Sequence, residues 1–89
     1  GLGELAVVAL DSGGGEIEGV RVEVYPTFQH DQPIVEVYCR VPEECIRYLE
    51  AGVYDVYVQV YLISRYQQAW REGVTILEGE VKEITQQFE

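Results

Sequence analysis

The chain has 89 residues, of which 47% are hydrophobic and 25% charged, a balance typical of one ordinary globular domain spanning residues 1–89. Sixteen acidic residues against six basic ones give a formal net charge of −10, so nucleic acid and anionic membranes are unfavourable partners. No apolar run approaches the ~20 residues that cross a bilayer, and no signal-peptide pattern is present.

Short β-strands are predicted along the first half of the chain. Residues 5–10, "LAVVAL", are apolar on both faces, which is typical of a strand that is covered on both sides. A glycine-rich turn, "DSGGGEIEG", follows at residues 11–19. Valines alternate with polar residues from Val20 to Tyr25, and Pro26 ends this second strand. After a polar loop, residues 34–41 alternate again and predict a third strand.

The two cysteines, Cys39 and Cys45, are six positions apart and flank "RVPEE", which reads as a hairpin loop. Residues that flank such a loop face each other across it, close to the separation that a disulfide needs. We therefore predict a Cys39–Cys45 disulfide, with two buried free thiols as the alternative. The disulfide implies an oxidising compartment, and hence an extracellular or cell-surface location, or a thermophile.

The second half of the chain contains the clearest strand. Tyr54, Val56, Val58, Val60 and Leu62 fall on one face, with Tyr57 and Tyr61 on the other. A short strand precedes it near residues 45–52, and "VTIL" at residues 74–77 predicts another, which forms a closing hairpin with residues 81–88.

Two segments admit a second interpretation. Ser64 can cap, and Gly73 can end, one short helix near residues 64–72, with an irregular extended segment as the alternative. Val81, Ile84 and Phe88 have helical spacing, but we favour a strand because "VTIL" would otherwise have no hairpin partner. The result is an all-β, antiparallel, seven-stranded sandwich with a core that includes Val7, Val22, Val37, Val56, Val58 and Ile76.

Several motifs resemble the carboxypeptidase regulatory-like, transthyretin-like (prealbumin-like, Ig-like) β-sandwich superfamily. The opening stretch matches its strand, Asp-plus-Gly turn and valine strand through Asp11, Gly13, Ile17, Gly19, Val20 and Val22. A second hallmark is carried by Leu49, Gly52, Tyr54, Val56 and Val58, and Gly79 marks the turn of a closing hairpin. The resemblance implies the fold but no particular function, because such modules serve as stalks, appendages, binding domains and filament subunits.

Catalytic and metal sites are not expected. His30 is the only histidine, and it reads as a solvated loop residue, since its neighbour Asp31 points away from it. The "SGGGE" turn lacks the lysine of a phosphate-binding loop. Its carboxylates, Asp11, Glu16 and Glu18, do not have the spacing of a calcium-binding EF-hand loop. We therefore predict a protein that is not an enzyme and that has no cofactor.

Aromatic residues are the best clue to function. Tyrosines occupy the strand face opposite the valines, where they either stabilise a half-solvated sheet or form a recognition surface. The candidate interaction surface comprises Tyr25, Tyr38, Tyr57, Tyr61, Tyr66 and Trp70.

From this surface we predict a non-catalytic structural or assembly module, such as a filament, surface-layer or adhesin subunit. It would associate with its own copies, or with neighbouring domains of a larger protein, through the tyrosine face and its edge strands. A carbohydrate- or peptide-binding module is the alternative. One candidate strand for donation to a neighbour consists of Leu5, Ala6, Val7, Val8, Ala9 and Leu10, with pairing inside its own sandwich as the favoured alternative.

Overall fold

Strands account for most of the chain in a computed structural model that describes residues 1–89. They are β1 (Leu2–Leu10), β2 (Val20–Pro26), β3 (Val35–Cys39), β4 (Ile46–Glu50), β5 (Gly52–Leu62), β6 (Arg65–Ile76) and β7 (Val81–Gln87). The one helical element is a single 3-10 turn, Pro42–Cys45. No helix of the structure is long and apolar enough to span a bilayer.

These strands form two packed sheets, so the prediction of an all-β sandwich is confirmed at that level. One sheet has the order β4-β1-β7, and the other has the order β3-β2-β5-β6. Period-2 alternation directs the valines of β2 and β5 between the sheets, where Val24, Val56 and Val58 are fully buried. Full burial of a valine contributes roughly 1.5–3 kcal/mol. Of the six predicted core residues, Val37 alone is only partly buried.

β1 is the central strand of the smaller sheet. It pairs with β4 on one side and with β7 on the other, inside its own sandwich. Its inward residues Leu5, Val7 and Ala9 are buried, whereas Ala6 and Val8 on the outer face are half-buried. The expected cover on both faces is therefore present on one face only. Donation of residues 5–10 to another copy stays a prediction, and it would require β1 to leave two partners.

Predictions about the end of the chain were partly wrong. β7 is a strand as favoured, but it lies parallel to β1, so the sandwich is not wholly antiparallel. The predicted closing hairpin does not form: β6 pairs with β5 in the larger sheet, whereas β7 pairs with β1 in the smaller one. The sequence motif "VTIL" is the end of β6 rather than a separate strand.

Of the two interpretations of residues 64–72, the short helix is wrong, and most of the segment is extended as part of β6. Ile63 and Ser64 both have positive φ, at 55° and 58°, and form a two-residue turn that sends the chain back as β6. Two positive φ angles match the twist of a tight hairpin. Ser64 therefore belongs to this turn, where it does not cap a helix.

The disulfide is confirmed, but not the hairpin from which it was predicted. Cys39 and Cys45 are bonded with a Cα–Cα distance of 5.5 Å, and both are buried. However, β3 and β4 belong to different sheets. The bond therefore closes the 3-10 turn through which the chain crosses from one sheet to the other.

Candidate interaction surface

The outward face of the four-stranded sheet carries the aromatic residues that the sequence singled out. The strand registers place Tyr57 opposite Trp70 and Tyr61 opposite Tyr66 across β5 and β6. Tyr38 lies opposite Arg21 across β3 and β2. We call this outward face the aromatic face. All six predicted residues share it, because alternation in each strand sends the valines inward and these side chains outward.

Exposure divides the six residues into two groups. Tyr38, Tyr61 and Tyr66 are 62%, 60% and 70% exposed, and their rings are available for contact. Trp70 is 41% exposed, Tyr57 is half-buried, and Tyr25 is only 8% exposed. The predicted contact surface is therefore concentrated toward the end of the sheet that holds the β5–β6 turn.

The three exposed tyrosines border a shallow open groove of about 420 Å³. Gly19, Arg21 and Gln59 complete its lining with Val60. A Cβ atom on Gly19 would lie 2.5 Å from the Tyr38 hydroxyl oxygen, and Gly19 has a φ of 82°. A glycine is therefore needed both for the backbone conformation and for the present position of the Tyr38 ring. The groove has aromatic sides and a polar floor.

A small charge network crosses β2 and β3 beside this groove. The Arg21 guanidinium bonds Glu23 at 2.6 Å and Glu36 at 3.0 Å. Burial opposes ionisation of Glu23, but hydrogen bonds from Tyr25 and Arg21 outweigh it and lower the pKa of that carboxyl. The Tyr25 hydroxyl donates to Glu23, and this bond together with burial raises the pKa of Tyr25 to about 12. Arg21 is thus neutralised by its neighbours, and the groove has no excess positive charge.

The other end of the aromatic face contains a cluster that the sequence interpretation missed. Asp55 points outward from β5, yet its side chain is 0% exposed because the loop at residues 27–33 covers it. Its carboxylate accepts hydrogen bonds from Phe28 N at 3.0 Å and Gly73 N at 3.0 Å. His30 Nε2 lies 2.7 Å from the same carboxylate. Two separate chain segments, the covering loop and β6, therefore meet on one buried acid.

Aromatic rings pack around that acid. His30 stacks on Trp70 with ring centroids 4.3 Å apart and an interplanar angle of 11°. Tyr25 packs against both rings, and Tyr57 contacts Trp70 at 5.1 Å. His30 is an exposed loop residue as expected, but the sequence did not predict its contact with Asp55. One signal was present: a single acid interrupts the apolar run of β5, where an unpaired charge would be unfavourable.

Asp55 also marks an irregularity in the sheet. The β5–β6 register shifts between Tyr54 and Val56, so that two residues of β6 lie opposite Asp55. Gly73, one of these two, has a φ of 66° and donates its N–H to the carboxylate. Such β-bulges increase the local twist and bend of a strand. Asp55 therefore holds both the covering loop and the bulge of the edge strand.

Chemically, these features suit recognition and structural support. The exposed tyrosines offer amphipathic contact area, and the His30–Asp55 pair serves to position the loop over Trp70. No group of three or more His, Cys, Asp or Glu side chains is close enough to hold a metal ion. The carboxylate of Asp11 accepts hydrogen bonds from Gly13 N and Gly15 N, and so stabilises its own turn.

Comparisons with known proteins add no further assignment to this geometry. No family model matches the chain, and no curated protein or solved structure shows significant similarity to it.

Proposed function

We propose that the domain is a non-catalytic structural module that self-associates through its aromatic face and its sheet edges. The observation that carries this proposal is the exposure of Tyr38, Tyr61 and Tyr66, each 60% or more, on regular strands of one sheet. Rigid aromatic rings give large contact area at low conformational entropy, and they are enriched where protein surfaces meet. A flat array on a sheet suits a broad protein partner.

An extracellular or cell-surface location is part of this proposal. The buried Cys39–Cys45 disulfide is consistent with an oxidising compartment. We also propose that the sandwich has the transthyretin-like topology that the motifs resemble. Two details support it: Asp11 organises the glycine turn with two hydrogen bonds, and Gly19 adopts positive φ just before β2.

A concentration series tests the assembly proposal. Sedimentation velocity from micromolar to millimolar protein should show an increase in particle mass for the parent. Tyr38→Ser combined with Tyr61→Ser should weaken that association, because both rings leave the aromatic face. Tyr48→Ser is the matched control, since Tyr48 is 68% exposed but lies on β4 in the other sheet. A parent that remains monomeric throughout would refute self-association.

Carbohydrate or peptide binding is the second candidate function. The groove between Tyr38 and the Tyr61–Tyr66 pair favours it, because aromatic sides and a polar floor suit a sugar ring or an extended peptide. Because Glu23 and Glu36 neutralise Arg21, we propose that the ligand is an uncharged sugar. Chemical shifts of the Gln59 side-chain amide during titration with neutral oligosaccharides test it, and saturable shifts that vanish in Tyr61→Ser would favour binding over assembly.

A further inference from the structure

We infer that the outer edge of β6 pairs antiparallel with β6 of a second copy, about a twofold axis through Gln68. This inference rests on the proposed self-association and specifies its interface. The two four-stranded sheets would join into one continuous sheet, with both aromatic faces on the same side. Pairing of edge strands uses backbone hydrogen bonds that are independent of sequence, while side chains select the register.

β6 is the longest strand and has a free edge. It spans Arg65–Ile76 and ends the order β3-β2-β5-β6. A strand paired on one side leaves alternate N–H and C=O groups pointing outward. From Arg65 to Glu72, no backbone hydrogen bond is made outside the pairing with β5. The outward groups of this stretch are therefore available to another strand.

The other three edges are less available. β3 and β4 have five residues each, and the disulfide-closed turn joins them. On β4, the carbonyl oxygen of Ile46 accepts a hydrogen bond from Arg47 Nη1 at 2.8 Å. On β7, the Thr85 carbonyl oxygen accepts from Arg71 Nη1 at 3.1 Å. Side chains and short length thus protect these edges, as is usual for strands that do not pair.

Charge also favours β6 as the place where two acidic molecules approach. The whole chain carries −10, but β6 holds two of the six basic residues, Arg65 and Arg71, and one acidic residue, Glu72. The strand therefore carries little net charge within an acidic protein, since Glu89 lies beside Arg65 and offsets the remaining positive charge. Two copies that meet along β6 keep most of their negative charge apart, which reduces the repulsion that a net charge of this size produces.

The side chains of β6 select a register. A twofold axis through Gln68 places Tyr66 opposite Trp70 of the second copy, and the symmetry repeats the pair. Both residues lie on the aromatic face, where directly opposite aromatic rings stabilise strand pairing. A register shift of two residues in either direction keeps the faces matched but separates both aromatic pairs. A twofold interface also closes on itself, so it yields a dimer.

Gln68 suits the position on the axis. Its side-chain oxygen accepts a hydrogen bond from the Tyr57 hydroxyl at 2.6 Å, and its amide nitrogen has no partner within the chain. That nitrogen can donate to the Gln68 oxygen of the second copy. On the inward face the register places Arg65 opposite Arg71 of the second copy, which is unfavourable. Both cations already have partners, because Arg65 lies 3.7 Å from Glu89 and Arg71 binds Thr85.

Cross-linking at the axis tests this register. Gln68→Cys introduces one free thiol, since Cys39 and Cys45 are bonded to each other. Opposite residues have Cβ atoms ~4.5–5.5 Å apart, so mild oxidation should produce a covalent dimer. Thr75→Cys is the matched control, because Thr75 is exposed on the same strand. It lies beyond the stretch from Arg65 to Arg71 that pairs in this register. Equal dimer yields from the two variants on non-reducing gels would overturn the register.

A charge variant tests the interface without an oxidant. Gln68→Lys places two like charges on the axis and should raise the dimer dissociation constant roughly tenfold or more, whereas Thr75→Lys should not. Circular dichroism confirms that both variants fold. If Gln68→Lys associates like the parent while Tyr38→Ser with Tyr61→Ser does not, the edge inference fails and the proposed function survives. A parent that is monomeric at every concentration overturns both.

Discussion

Replacement of Asp55 by Asn tests whether the buried carboxylate holds together the loop, the bulge and the aromatic cluster. Asp55→Asn keeps the size of the side chain but offers one acceptor oxygen where the carboxylate serves Phe28 N, His30 Nε2 and Gly73 N. Phe28 N and His30 Nε2 share one carboxylate oxygen, which an amide oxygen can replace, whereas the hydrogen bond from Gly73 N to the other oxygen should be lost. The two remaining hydrogen bonds should become weaker, because they no longer go to a charged group. Hydrogen bonds to a charged group contribute roughly 1.5–3 kcal/mol each, and the lower value applies because the donors can be hydrated once the loop opens.

One lost hydrogen bond and two weakened ones give an expected loss of unfolding free energy of about 2–3 kcal/mol, or a decrease in Tm of roughly 10–20 °C for a domain of this size. Urea denaturation followed by circular dichroism measures it, with the disulfide intact in both proteins. His30→Ala is the comparison variant, because it leaves both backbone hydrogen bonds to Asp55 in place. Its loss should be smaller than that of Asp55→Asn.

The pH dependence of the stability difference between the parent and Asp55→Asn is a second test. The hydrogen bond from Phe28 N, followed by those from His30 and Gly73, outweighs burial and lowers the pKa of Asp55. A lowered folded-state pKa gives stability that is complete above the unfolded value, about 3.9 for Asp, and is lost as pH falls through the folded value. The difference between parent and Asp55→Asn should thus be full at neutral pH and shrink in strong acid. Equal stability of the two proteins at neutral pH would refute the structural role of Asp55.

Other parts of the structure give three further predictions. Val58→Asp should unfold the domain, because it buries an unpaired charge in the core, whereas Tyr57→Asp on the aromatic face should not; the reverse result would invert the assignment of the two faces. Cys39→Ser with Cys45→Ser should lower the unfolding free energy by roughly 2 kcal/mol, and alkylation followed by intact mass should find no free thiol in the natively produced parent. Ultraviolet titration should show one tyrosine ionising at about 12, and Tyr25→Phe should remove that step.

Sequence patterns predicted the parts of the fold that depend on local alternation. The valines of β2 and β5 identify their buried face directly, because a half-covered strand repeats every two residues. The same alternation placed four aromatic residues, Tyr25, Tyr38, Tyr57 and Tyr61, on the face opposite the valines. β6 lacked such a signal, since as an edge strand it buries little between Arg65 and Glu72, and its glutamines and alanine are compatible with a helix.

Local sequence patterns do not specify which strands pair with each other. The pattern of residues 81–88 indicates a strand but not its neighbour, and the assumption of a local hairpin failed when β7 paired with β1. The site was incomplete for a similar reason. His30 and Asp55 are 25 positions apart, and their contact depends on the path of the covering loop over the sheet. Asp31 was nearer in sequence but lies outside that contact.

Parallel pairing of β1 with β7 has a mechanical consequence. The pairing runs from Glu4 opposite Val81 to Leu10 opposite Gln87, so Gly1 and Glu89 lie toward opposite ends of the shared ladder. A tensile force between these two residues would pull β1 and β7 along their length in opposite directions. The hydrogen bonds between them, evenly spaced in a parallel pair, would then be loaded together in shear rather than opened one after another. Forced unfolding is governed by the unfolding rate. We expect it to require a higher force when the protein is pulled at Gly1 and Glu89 than when it is pulled at two positions that separate β6 from β5 one hydrogen bond at a time.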